Sequence, residues 1–301
     1  MLDHCHSLRH IKRKRQKGWL GMTTGGSFKT LVYAAAASAI LVACSDTNSR
    51  RIDDLDGYTP YQIFELGEYD LANGNYNNAT YYFAEVERLF PYSEMAKRGL
   101  IMQAFAFHQD QNYEGSRAAA QRYVDFYPAD QDAAYAQYLL ALSYYDQIED
   151  VGRDQGVTID ALQALRVVFE QYPESEYAPE AKLKFDLAFN HLAGKEMEVG
   201  RYYLRRGHYG SAIKRFRKVV EDFQTTSHTA EALHRLVESY VSLGLLLEAQ
   251  SAAAILGHNY QSSDWYQASY DLLQQQGLSP NAVGNNWLSQ IYRQVVQGKW
   301  L

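Results

Sequence analysis

His4, Cys5 and His6 stand close enough in the chain to share a metal ion, and the run KRKRQK from Lys12 to Lys17 has the charge density of a nucleic-acid patch. The context argues against both. This segment precedes a signal-like stretch, Met22 reads as the true start, and residues 1–43 are expected to be lost on maturation. Elsewhere the reactive residue types do not converge. The chain has no His-Glu-x-x-His for zinc, no glycine-rich phosphate loop followed by lysine, and no Gly-x-Ser-x-Gly elbow for a nucleophile. The nine histidines are scattered, and His191 and His234 fall within helical patterns, where a hydrogen-bonded or surface imidazole is expected rather than a ligand. The expectation is therefore no catalytic residue, no metal and no cofactor.

Two features keep a chemical role. The first is the Cys44 thiol. Residues 31–43 read LVYAAAASAILVA, too short for a comfortable membrane span and the right length for the apolar core of a signal peptide, with Lys29 as its positive flank. The run Leu41-Val42-Ala43-Cys44 resembles the bacterial lipobox, in which the cysteine is lipidated, the peptide is cut before it, and the new amine is acylated. Several acyl chains hold a protein on a membrane where one is marginal. Residues 1–43 are thus expected as signal peptide and residues 44–58 as a lipidated tether. The second feature is a basic cluster. Lys214, Arg215, Arg217 and Lys218 follow Arg201, Arg205 and Arg206, and the stretch from Lys195 to Lys218 holds eight basic residues against two acidic. Residues 1–43 contain seven of the 29 Lys and Arg and one of the 35 Asp and Glu, so the remainder has 22 basic and 34 acidic residues, a net charge of −12. Such a chain is a poor nucleic-acid binder, and a basic patch on it is suited to docking an acidic partner.

These residues must be positioned by helices. The segment KEMEVGRYYLRRGHYGSAIKRFRKVVEDFQ, Lys195 to Gln224, carries Gly200, Tyr203, Ala212 and Phe216 in the small/large pattern of the tetratricopeptide repeat. Small residues let two antiparallel helices approach, and large ones fill the space around the contact. Gly207 suits the left-handed position that ends the first helix. Taking Ala212 as anchor, equivalents fall at Ala79, Ser116, Ala161 and Ala249, with Phe83, Ala120, Leu165, Phe216 and Ala253 four residues later. The fold class predicted is all-α, a tetratricopeptide-repeat superhelix of about five helix pairs: repeats 1–3 over 59–175, repeats 4–5 over 176–277, and a tail over 278–301. Anchor spacings of 37, 45, 51 and 37 exceed the ideal of about 34. The surplus is assigned to an inserted loop from Asp146 to Thr158, and to one long or two fused helices from Pro179 to Arg206. In the tail, Trp287, Ile291 and Val295 share a helical face, which suits a docked helix or a disordered end equally. Helix-pair solenoids present grooves to peptides. Tyr61, Phe64, Phe105 and Tyr135 are the expected groove positions, with burial in the core as an equal alternative.

With the lipobox, five degenerate repeats, Gly152-Arg153-Asp154 in the loop, and EMEVGRYYLRRGHYGSAIKRF, the chain resembles the BamD/ComL family over roughly Cys44 to Gly277. These are lipoprotein subunits of the outer-membrane β-barrel assembly machine. The resemblance implies a non-enzymatic scaffold at the periplasmic face of the cell outer membrane. Its C-terminal repeats would hold the last POTRA domain of BamA, alongside other Bam subunits. Its N-terminal repeats would receive the C-terminal signal of unfolded barrel proteins. It also implies that Arg215, on the second helix of the fourth repeat, contacts an acidic BamA residue, with Arg206, Lys214, Arg217 and Lys218 around it. Gln224 stands where the family has proline, and the tail after Leu278 does not match the family pattern. The alternative is a generic tetratricopeptide lipoprotein that adapts cell-envelope or peptidoglycan enzymes. Mass spectrometry of the mature protein should find an acylated N-terminus at Cys44, and Cys44→Ala should leave the chain uncut or mislocalised; an unacylated N-terminus elsewhere would exclude the anchor.

Overall fold

The computed structural model describes residues 51–281 and 287–291. The signal segment, Met22 and Cys44 lie outside the described residues, as does Val295 in the tail. Among the described residues eleven helices follow one another: α1 (Pro60–Ala72), α2 (Tyr76–Leu89), α3 (Glu94–Gln109), α4 (Tyr113–Phe126), α5 (Ala133–Tyr145), α6 (Gly156–Gln171), α7 (Ala178–Arg205), α8 (Tyr209–Asp222), α9 (Thr229–Ser242), α10 (Leu246–Asn259) and α11 (Asp264–Gln274), and residues 287–291 are helical too. Helices α1 to α10 pack chiefly on their neighbours in the chain, α11 packs on α9 as well as on α10, and no strand occurs among the described residues. The protein is all-α, built from helix pairs.

The start is specified locally. Thr59 caps α1 in a capping box with Gln62: the Gln62 amide donates to Thr59 Oγ1 at 3.3 Å and the Thr59 amide donates to Gln62 Oε1 at 2.9 Å. Pro60 occupies the first turn, where its missing N–H costs nothing. The last residues of the segment expected as a lipidated tether pack on the first repeat. Leu55 is buried in the first-repeat core, and the Ile52 amide donates to Tyr82 Oη at 2.7 Å.

All five anchors, Ala79, Ser116, Ala161, Ala212 and Ala249, are fully buried on the second helices of their pairs. So are Phe83, Ala120, Leu165, Phe216 and Ala253 one turn later. Where the large residue is phenylalanine, the facing helix carries glycine. A Cβ on Gly200 would lie 2.4 Å from the Phe216 ring, and one on Gly67 2.6 Å from the Phe83 ring. The ring occupies the volume that any side chain there would need. Ser116 is the polar anchor, and its Oγ accepts from Ser143 Oγ of α5 at 2.9 Å, so its burial leaves no unmet hydrogen bond. Gly207 closes the α7–α8 turn at φ +72°, in the left-handed region.

The turn from α4 to α5 is tied back to both helices of repeat 2 by a carboxylate. Asp130 accepts from Lys97 Nζ at 2.6 Å, Tyr123 Oη at 2.7 Å and the Asp132 amide at 3.0 Å. The hydrogen bond from Lys97, joined by those of the amide and the phenol, outweighs burial and holds the Asp130 carboxyl down to about 2.

The surplus residues take the forms the spacing suggests. Residues 146–155 form the loop between α5 and α6, with α6 starting at Gly156, two residues before the expected loop end. The long segment is one unbroken helix of 28 residues. Its first half joins the core of repeats 2 and 3 through Ala181 and Phe185, and its second half joins the core of repeats 4 and 5 through Ala193 and Met197. A run of rings connects the two cores: Phe169 to Phe185 at 5.4 Å, Phe185 stacked on Phe189 at 5.8 Å, and Phe189 against Phe223 at 4.8 Å. The tail is docked where it is described: Leu288 is fully buried and Trp287 Nε1 donates to Tyr240 Oη at 3.2 Å.

Gly200→Ala should destabilise the protein by about 1–3 kcal/mol through overpacking against Phe216. Gly210→Ala, where nothing lies within 4 Å of the added carbon, should be neutral or stabilising by up to about 1 kcal/mol. Denaturant unfolding of the two variants checks the register; equal stabilities would refute it.

Candidate partner-binding surfaces

The basic cluster divides into distinct environments. Glu196 of α7 lies 11% exposed beneath α8 and accepts from Arg215 Nη1 at 2.9 Å and from Lys218 Nζ at 2.8 Å. The two cations sit one turn apart on α8, so a single carboxylate takes both, one on each oxygen. Burial pushes the Glu196 carboxyl up, but the hydrogen bonds from Lys218 and Arg215 prevail and hold it below the usual carboxylate range. Arg217, on the neighbouring face, donates to Glu221 Oε1 at 2.7 Å and lies over the Trp287 ring at 4.5 Å, joining α8 to the tail. Arg201 donates to Glu231 of α9 at 2.8 Å. Arg206 covers the exposed Tyr202 ring at 4.5 Å. Lys214 is exposed and has no ion pair among the described residues.

The surface is therefore more nearly neutral than its sequence reads, with carboxylates from α7, α8 and α9 set against the cations. Arg215 is no free surface charge; it is half-buried and held to Glu196. Sequence reasoning counted Glu196 only as one of two acids in a basic stretch. Its signal was present, one turn before Gly200 and hence on the same packed face of α7.

Comparison with known proteins bears on what this surface serves. A family described as outer membrane lipoprotein (YfiO) matches residues 57–255. An outer membrane protein assembly factor BamD of Caulobacter vibrioides is 46% identical over 218 residues, covering 72% of each chain. The chain belongs to the BamD family. BamD of Rickettsia prowazekii is 41% identical over 211 residues, covering 70% of this chain and 84% of its own, and that of Neisseria meningitidis serogroup A is 25% identical over 247 residues, covering 78% and 92%. Membership associates this BamD-family chain with the outer membrane and marks it as an assembly scaffold rather than an enzyme.

The four expected groove residues part company. Tyr61 is 58% exposed on α1, whereas Phe64 is 1% exposed. Phe64 packs on Phe83 at 5.3 Å between centroids, and the Arg98 guanidinium closes over it at 5.0 Å. It is a core residue, because Gly67 draws Phe83 against α1 and leaves no open face beside the ring. Phe105 is half-buried against the core of repeats 2 and 3, and Tyr135 is half-buried with its ring 5.2 Å from Tyr177. Of the two histidines placed in helices, His234 is buried with Nδ1 2.9 Å from Ser269 Oγ, as a satisfied core imidazole should be.

Because the folded Glu196 carboxyl is held low, its contribution to stability is complete above the ordinary carboxylate range and is lost as pH falls through the lower folded value. Removing both cations inverts the sign, since burial alone then favours the protonated acid. The double variant Arg215→Met/Lys218→Met should therefore be destabilised more at about pH 7 than at about pH 4. Urea denaturation at the two pH values measures this; an equal loss would mean that Glu196 is not held by these cations.

Proposed function

We propose that the protein is a non-enzymatic scaffold of the outer-membrane β-barrel assembly machinery, held at the periplasmic face of the outer membrane by lipid on Cys44. The carrying observation is 46% identity, over 218 residues, to a relative named as an outer membrane protein assembly factor. In this reading repeats 4 and 5 dock a POTRA domain of BamA. Arg215 engages a carboxylate of the partner, and Lys214, Arg206, Arg217 and Lys218 steer the approach. A planar guanidinium can hold Glu196 with one edge and present further N–H groups to an incoming carboxylate. Exposed Lys214 serves steering because no ion pair among the described residues offsets its charge. The N-terminal repeats receive unfolded barrel proteins, with Tyr61, Phe105 and Tyr135 as the accessible aromatic positions.

Purification from detergent-solubilised membranes should bring down BamA; recovery of peptidoglycan enzymes in its place would favour the generic adaptor and overturn this reading. Arg215→Glu should release BamA, at a cost of about 2–5 kcal/mol of binding, and an acidic-to-arginine change on the partner should restore it. Thermal unfolding of the isolated variant separates lost docking from lost fold, since the change also sets a carboxylate beside Glu196. Wild-type recovery of BamA by Arg215→Glu in low and high salt would remove Arg215 from the interface. A crosslinker at Tyr61 should capture unfolded barrel proteins, and capture only at repeats 4 and 5 would move that site.

A further inference from the structure

Midway along α7 the chain forms a cleft of about 360 Å³. One wall is the inserted loop between α5 and α6, an addition to repeat 3 that the helix pair does not need in order to pack. The loop is nonetheless fixed. Asp150 Oδ1 accepts from the Gly152 amide at 2.9 Å, the Gly156 amide donates to Asp154 Oδ2 at 3.0 Å, and Lys195 Nζ of α7 donates to the Gly152 carbonyl at 2.8 Å. The opposite wall is the α8–α9 turn, held to α7 where Ser227 donates to Asn190 Oδ1 through its amide at 3.2 Å and its Oγ at 2.9 Å. Gly194 forms the floor. A Cβ there would come within 3.3 Å of His228 Nε2 and 3.8 Å of Val151 Cγ1, so the missing side chain keeps space open between the walls. Binding residues are often carried on loops held in this way by a rigid scaffold.

Polar groups in and beside the cleft lack partners within the chain's described residues. His191 Nε2 is sealed from solvent without a hydrogen-bond partner among the described residues. Such a group normally finds one. The Asn190 amide nitrogen and the Glu198 carboxylate also have no partner there, and Asp150 has no ion pair. The cations are already committed: Arg201 to Glu231, and Lys195 to a backbone carbonyl. Burial, reinforced by Arg201, keeps His228 below its ordinary value and so favours its neutral form. Lys195 keeps its charge on that carbonyl, so Asp150 and Glu198 set two negative charges against one positive and the balance is acidic. Beside it stand a donor in Asn190, the imidazoles, and the apolar Val151 and the 53%-exposed Leu187.

We propose that this cleft binds an extended polypeptide segment carrying a lysine or arginine side chain. The donors and acceptors match a peptide backbone, Val151 and Leu187 match a flanking side chain, and Glu198 with Asp150 takes the cation. A lone cation would leave the Asn190 amide unused, and a helix about 10–12 Å across is too wide for this volume. The cleft shares Arg201 with the basic cluster, but none of Arg206, Lys214, Arg215, Arg217 and Lys218 lines it, and binding in it does not depend on docking there.

The test is titration of the full mature chain, labelled at its histidines, with the probe acetyl-Ala-Ala-Lys-Ala-amide. The comparison probes are the same peptide with glutamate for lysine, and free lysine. The lysine peptide should shift the His191 and His228 ring signals saturably, and the other two should bind at least about fivefold more weakly. Glu198→Gln should weaken the lysine peptide about fivefold, as for an exposed ion pair, and Gly194→Val should abolish binding by filling the floor. Equal binding of the lysine and glutamate peptides would overturn the charge assignment. Free lysine binding as well as the peptide would reduce the cleft to a cation site, and unshifted ring signals would exclude it altogether. Should Gly194→Val fail to fold, Glu198→Gln, an exposed substitution, decides the matter.

Discussion

The unbroken course of α7 is the constraint on which the arrangement depends. A helix of ordinary length closes one pair; this one runs 28 residues and is shared between two. Its first half completes the core of repeats 2 and 3 and its second half opens that of repeats 4 and 5. Because Phe185 and Phe189 are four residues apart, they lie on one face and stack, and Phe169 and Phe223 extend that contact into the cores on either side. Repeat arrays draw their stability from nearest-neighbour interfaces. Here a single rigid element makes the interface between the two cores, so that interface does not rest on a flexible turn.

The same helix organises the charge. Glu196 sits in its second half, and α8 brings Arg215 and Lys218 onto it. A carboxylate taken from water is costly unless its partners are well placed, and two cations one turn apart meet that condition. In consequence the cations are held in position before any partner arrives. An incoming carboxylate need not immobilise a flexible arginine, though it must compete with Glu196 for the guanidinium. A chain that is acidic overall thus presents a small basic face whose geometry is set by a buried acid.

The chain departs from the plain repeat in two places, beside the middle of α7 and beyond the last pair. The inserted loop rests on the middle of α7, fixed by Lys195, and forms a cleft with the α8–α9 turn. Beyond the last pair, α11 and the segment 287–291 pack on α9 and α10, and Arg217 lies over Trp287. The end of the array is covered by its own chain, as solenoids require of a terminal repeat.

Sequence by itself determined the helix pairs. Periodicity, the recurring small anchors and the Gly200–Phe216 contact are local, because residues three, four and sixteen apart in a helical hairpin meet whatever the rest of the chain does. The capping box at Thr59 and the left-handed Gly207 are legible for the same reason. Family membership could be read there too, since the segment from Glu196 to Phe216 is dense in packing residues that few alternatives satisfy. Tertiary structure alone decided which side chains were free. Phe64 and Tyr61 lie three residues apart on one helix, yet Phe64 is closed over by Arg98 from α3 while Tyr61 faces solvent. Arg215 reads as a surface charge until α7 places Glu196 against it, 19 residues away. Exposure and ion pairing depend on which helices come together, and those distances are not written in any local pattern of residues.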